Sequence, residues 1–173
     1  MNGRGRRDRY DVVRELRALR RRADALAFPA APWEGLGYHN WKIPVRSDIV
    51  RGPAGRRPVQ AACAQVLIDT AARLAAEKPA HLGETRVVAI LGWPDLFASE
   101  ICVFFDPAAY DAFRQRDDEW RRWTPRADQA LVRHLDLRVP AGFAVEGFDM
   151  LYRDDDPPLE ITGEAWLIGE VLA

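Results

Sequence analysis

The chain has 173 residues, of which 48% are hydrophobic, 29% charged and 10% aromatic; these are ordinary globular proportions, and they exclude a wholly disordered, collagen-like or coiled-coil protein. Its longest clean apolar runs, Val87 to Leu91 and Ile101 to Phe105, fall far short of the ~18 residues that a helix needs to cross a bilayer. The net charge of −1 conceals a segregation: the first 22 residues carry nine Arg against Asp8, Asp11 and Glu15, and the last 29 carry eight acids against Arg153 alone.

The basic start reads as a flexible arm over residues 1–8, ahead of a single domain over 9–173. It lacks the apolar stretch and small-residue cleavage site of a secretory leader. From Arg9 to Phe28, Val12, Leu16, Leu19, Ala23 and Leu26 recur at spacings of three and four, while Arg14, Arg17 and Arg21 fall on the opposite side, the pattern of an amphipathic helix with a basic outer stripe. Pro29 and Pro32 end it in a loop. His39, Trp41, Ile43 and Val45 then alternate with Tyr38, Asn40, Lys42 and Pro44; the proline removes a ladder donor and assigns this strand to an edge. Pro58 fits the first turn of a helix, and Val59, Cys63, Val66, Leu67, Thr70, Ala71 and Leu74 mark its buried stripe through Glu77.

Arg86 to Leu91 and Ile101 to Phe105 read as central strands covered on both faces, antiparallel because the connection between them is too short for a helical crossover. Ala108 to Asp117 is a short helix with Tyr110 and Phe113 three apart. Leu135, Leu137 and Val139 alternate with polar residues as a half-buried strand ended by Pro140. Phe143 and Val145 differ in parity from Phe148, Met150 and Tyr152, which predicts a β-bulge at Gly147. A last strand runs from Ile161 to Val171. The whole is an α+β domain: an antiparallel-dominated sheet of about six strands, with three helices packed mainly on one face.

No nucleotide-loop, zincin, nucleophile-elbow or EF-hand pattern is present, and no cofactor or metal is expected. His39, His81 and His134 lie on different elements, with no spacing suited to a shared metal. Cys63 and Cys102 sit in apolar runs and read as buried thiols in a reducing cytosol. Asp154, Asp155 and Asp156 read as a turn between strands. Together with Glu160 they form the centre of the acidic C-terminal region. Trp120 and Trp123, beside Arg121 and Arg122, have the composition of an interface anchor. Arg14, Arg17 and Arg21 offer a face that can track phosphates.

Several segments carry a resemblance: Trp41-Lys42-Ile43-Pro44-Val45, Cys63 to Ile68, Arg86 to Ile90, Trp123-Thr124-Pro125 and Gly163 to Glu170. Spread over residues 10 to 172, they resemble a bacterial family of unknown function. That resemblance implies no activity and assigns no catalytic residue. The excess of Arg over Lys, 23 to 2, suits a high-GC bacterial genome.

The leading expectation is a non-catalytic bacterial cytosolic binding protein, of the immunity or antitoxin kind, that holds a basic protein partner on its acidic C-terminal surface. One alternative is a small metal-dependent hydrolase or nuclease-like enzyme using Asp117, Asp118 and Glu119 or the Asp154 to Asp156 cluster. Another is nucleic-acid binding through the Arg-rich first helix. The basic N-terminal stripe can also meet the acidic C-terminal strands, within one chain or between two copies.

Overall fold

The computed structural model describes residues 3–46, 56–92, 96–117, 121–124, 129–150 and 159–164, and the side chains of 11–46, 57–92, 96–115 and 132–144. Helix α1 spans Gly3–Asp24. It begins inside the segment read as an arm and ends four residues before Phe28. That early end has a cause in the tertiary structure: Arg73 Nη2 donates to the carbonyls of Ala23 and Leu26 at 3.0 and 2.9 Å. A guanidinium thereby satisfies acceptors that the helix terminus leaves open.

Strand β1 (Tyr38–Lys42) is followed by helix α2 (Arg56–Ala76), strands β2 (Arg86–Leu91) and β3 (Glu100–Phe104), and helix α3 (Pro107–Asp117). Asp106 caps α3, its Oδ1 accepting from the Ala109 amide at 2.7 Å, with Pro107 at the first helical position, where no amide hydrogen is needed. Strand β4 (Arg121–Thr124), helix α4 (Gln129–Leu135), and strands β5 (Phe143–Met150) and β6 (Leu159–Glu164) complete the order.

The six strands among the described residues form one sheet in the order β1-β3-β2-β6-β5-β4, and each of their pairings is antiparallel. Strand β1 lies at one edge, as expected, but it ends at Lys42, so that Pro44 falls outside it rather than within it. Just beyond β1, Ile43 and Val45 donate inward to Ser99 and Leu96. Pro44 falls between them, at a position facing away from that ladder.

Alternate strand residues separate into two cores. Val87, Ala89, Leu91, Ile101 and Val103 join Leu19 of α1, the stripe of α2, and Val132 and Leu135 of α4. Val88, Ile90, Cys102 and Phe104 face the other way and pack with Tyr110 and Phe113 of α3. Helix α2 buries the wide stripe Val59, Cys63, Ala64, Leu67, Ile68, Ala71 and Leu74, because the sheet lies beneath it and α1 and α4 lie beside it.

The α+β class and the antiparallel sheet agree with the sequence, but several details do not. Among the described residues there are four helices rather than three, and α3 packs on the opposite face from the others. The strand expected over Leu135 to Val139 is instead the end of α4: Asp136 takes φ +54°, its amide bonds to the Arg133 carbonyl, and the Leu137 amide bonds to the Val132 carbonyl. This paired 5→2 and 6→1 bonding is a Schellman close, usually made with glycine. Strand β4, which pairs with β5, was not anticipated. The expected bulge is also absent from the described pairings, since β5 runs in unbroken register on β6 from Phe143 to Gly147 and on β4 from Gly147 to Met150. Residues 165–171 of the expected last strand lie outside the described residues.

Candidate functional site

Two regions gather chemistry-bearing residues. The first is a cleft of about 400 Å³ between α1 and α2, bordered by Arg20 and Asp24 of α1, by Gln65, Asp69 and Arg73 of α2, and by Arg138 from the segment after α4. Gln65 holds that segment from both sides. Its Oε1 accepts the Arg138 amide at 2.9 Å and its Nε2 donates to the Arg138 carbonyl at 3.0 Å, so a side-chain amide replaces a strand neighbour. The same Nε2 donates to Asp69 at 2.8 Å.

The arginines of this face differ in what they are committed to. Arg73 bonds to Glu77 at 2.6 Å as well as to the end of α1. Arg14 pairs with Asp11 at 3.1 Å, and Arg22 reaches Glu15 at 3.7 Å and the Pro44 carbonyl at 3.0 Å. The exposed Arg17 and Arg21 and the cleft residues Arg20 and Arg138 have no side-chain partner among the described residues. Of the stripe Arg14, Arg17 and Arg21, therefore, the first is already neutralised by its neighbour one turn away.

The second region is the opposite face of the sheet. Register aligns Lys42, Glu100, Ile90, Glu160 and Glu146 in one row across five strands. Glu100 is buried and is bonded by Lys42 and Asn40 from the neighbouring strand. Beyond Ile90, Glu160 and Glu146 stand directly opposite each other, and Glu164 lies two pleats along β6, opposite Arg86. Trp123 is opposite Phe148 on the β4 side. Asp154, Asp155, Asp156 and Trp120 lie outside the described residues, as do Asp118 and Glu119. Glu160 and Trp123 are fixed in register only.

Cys63 and Cys102 are buried free thiols. Burial, reinforced by the negative charge of Glu15 and partly offset by Arg22, pushes the Cys63 thiol up to about 11, so almost no thiolate exists near neutrality. His39 lies between Trp33 and Trp41, with ring centroids 4.9 and 4.6 Å away, and burial lowers its pKa below the usual imidazole value. His81 is in an exposed turn and His134 is on α4, so the histidines do not converge. Among the described residues, no group of three or more His, Cys, Asp or Glu side chains is placed to hold a metal ion, and no helix is long and apolar enough to cross a membrane.

Sequence reasoning missed Gln65, Arg20 and Arg138. An isolated glutamine carries no pattern, and the partner it clamps is supplied by distant chain. No curated protein and no solved structure matches this chain. A family described as protein of unknown function, DUF3916, matches residues 20–170. This span includes all the segments on which the resemblance rested, from Trp41 to Val45 through Gly163 to Glu170, and the chain belongs to that family.

Proposed function

We propose that this chain is a bacterial cytosolic binding protein of the immunity or antitoxin kind, acting by association rather than catalysis, and that its acidic C-terminal region holds a basic protein partner. The observation that carries this reading is the register of β5 on β6, which sets Glu146 opposite Glu160. Like charges in direct cross-strand opposition destabilise a sheet, and a cationic partner relieves that repulsion when it binds. Glu100, in the same row, already has its cation in Lys42, and the register sets Arg122 opposite Asp149 and Arg86 opposite Glu164, whereas Glu160 is flanked by Glu146 on one side and by the apolar Ile90 on the other. Asp154 to Asp156, in the connection between these two strands, extend the same charge. Complementary charge of this kind raises association rate and specificity.

The test uses a fluorescent Arg/Lys-rich peptide of about 20 residues as probe, titrated at low and high salt. The triple variant Glu146→Gln/Glu160→Gln/Glu164→Gln and, separately, Asp154→Asn/Asp155→Asn/Asp156→Asn are expected to weaken binding by at least about tenfold, or ~1.4 kcal/mol. The control Glu34→Gln/Glu84→Gln/Asp111→Asn removes three exposed acids elsewhere and is expected to leave affinity nearly unchanged. Equal losses in all three variants would mean that only net charge matters, and the proposal would fail.

A further inference from the structure

We propose that the cleft between α1 and α2 binds a small phosphorylated, hydroxyl-bearing molecule whose phosphate is held between Arg20 and Arg138. Three observations converge on it. First, the cleft, at about 400 Å³, lies in the size range of small-molecule sites. Second, it brings together two guanidiniums from distant parts of the chain, neither of which has a side-chain partner among the described residues. The third guanidinium, that of Arg73, is held in place by its bonds to Glu77, Ala23 and Leu26 and forms a fixed wall.

Third, the backbone that carries Arg138 is clamped at both its amide and its carbonyl by Gln65. A cation on a pinned backbone loses less freedom when an anion arrives, so the clamp reduces the ordering cost of binding. A carboxylate offers one charge on two oxygens, whereas a phosphate monoester offers three terminal oxygens and close to two charges, the better match for two guanidinium forks that approach from different directions. That distinction selects phosphate.

The carboxylates argue for the rest of the ligand. Asp24 and Asp69 line the same cleft, and both repel an extended polyanion such as a nucleic-acid backbone. They accept hydrogen bonds well from hydroxyl groups. A phosphorylated sugar or polyol matches this mixed lining, with its phosphate on the arginines and its hydroxyls toward the aspartates.

Calorimetric titration of the full-length protein with inorganic phosphate, ribose 5-phosphate and ribose tests the assignment. Ribose 5-phosphate is expected to bind saturably and more tightly than phosphate, and ribose not at all. Arg20→Gln and Arg138→Gln are each expected to weaken ribose 5-phosphate by at least about tenfold without shifting the unfolding midpoint of the free protein, since neither side chain has a partner among the described residues. Gln65→Ala is expected to weaken it less, and Arg133→Gln, on exposed α4, not at all. The absence of saturable binding by ribose 5-phosphate up to about 10 mM would overturn the proposal, as would binding that survives both cleft substitutions, or ribose binding as well as its phosphate.

Discussion

On the face under α1, α2 and α4, the strands are covered by two long helices whose small and branched side chains interlock, and the polar groups at the rim are tied by named hydrogen bonds across the chain. On the other face, the covering among the described residues comes from the single short helix α3. There Phe104, Tyr110, Phe113 and Tyr38 pack ring against ring at centroid distances of 5.1 to 5.7 Å, with Arg86 stacked 4.1 Å over Tyr110. One face gains its stability from area spread over many residues, while the other concentrates it in four aromatic rings. The concentrated core involves β1 to β3 and α3, and the register continues the row from Glu100 to Glu160 and Glu146 on β6 and β5. A distributed core leaves grooves only between its helices, and the arginine cleft is one of them.

The largest effects come from emptying either core. Leu67 and Phe104 are both fully buried. Leu67→Ala should cost about 2–5 kcal/mol and Phe104→Ala about 3–5 kcal/mol in urea unfolding. If the two faces form one cooperative unit, each variant shifts a single transition. A second transition in Phe104→Ala would show that the α3 face melts separately.

A smaller loss is expected at Gly37, where the turn before β1 meets α3. Its φ is +71°, and an added Cβ would lie 2.7 Å from the Ala109 Cβ. Gly37→Ala therefore combines a left-handed backbone penalty of ~1 kcal/mol with displacement of α3. The measurable signature is stability lost together with altered near-ultraviolet circular dichroism from Tyr110 and its neighbours. A stability loss without that spectral change would separate the turn from the aromatic cluster.

Its counterpart on the other face is Gln65→Ala, which removes two long-range hydrogen bonds. Because these bonds are exposed, the expected cost is only about 1 kcal/mol. Amide exchange at Arg138 should accelerate strongly while the core of α2 stays protected. Unchanged exchange at Arg138 would show that the clamp does not hold the segment.

The smallest effect is a pH dependence at the β1 edge. Burial lowers the pKa of His39 from 6.5, so below that value the unfolded chain binds a proton that the folded chain resists. Stability from this group is thus full above pH 6.5 and falls as the pH drops through the window beneath it. His39→Gln should flatten that part of the stability profile. An unchanged slope would place the titration elsewhere.

The sequence by itself determined the elements whose signals are local. Helix α2 was legible from its wide apolar stripe and from Pro58. Strands β2 and β3 were legible from their unbroken hydrophobic runs, and the edge position of β1 from Pro44. The two buried cysteines followed from their apolar neighbours. In each case a few adjacent residues decide burial or backbone geometry, so no distant partner is needed to read them. The end of α4 was lost because Leu135, Leu137 and Val139 alternate like a strand, while Asp136 takes the left-handed position that a glycine would have announced.

Tertiary structure alone decided the rest. The placement of β6 between β2 and β5 puts Glu160 opposite Glu146. The return of Arg73 onto the end of α1 fixes where that helix stops, and the Gln65 clamp presents Arg138 beside Arg20. Pairings of this kind depend on residues tens of positions apart, and neither propensity nor periodicity reaches that far along a chain.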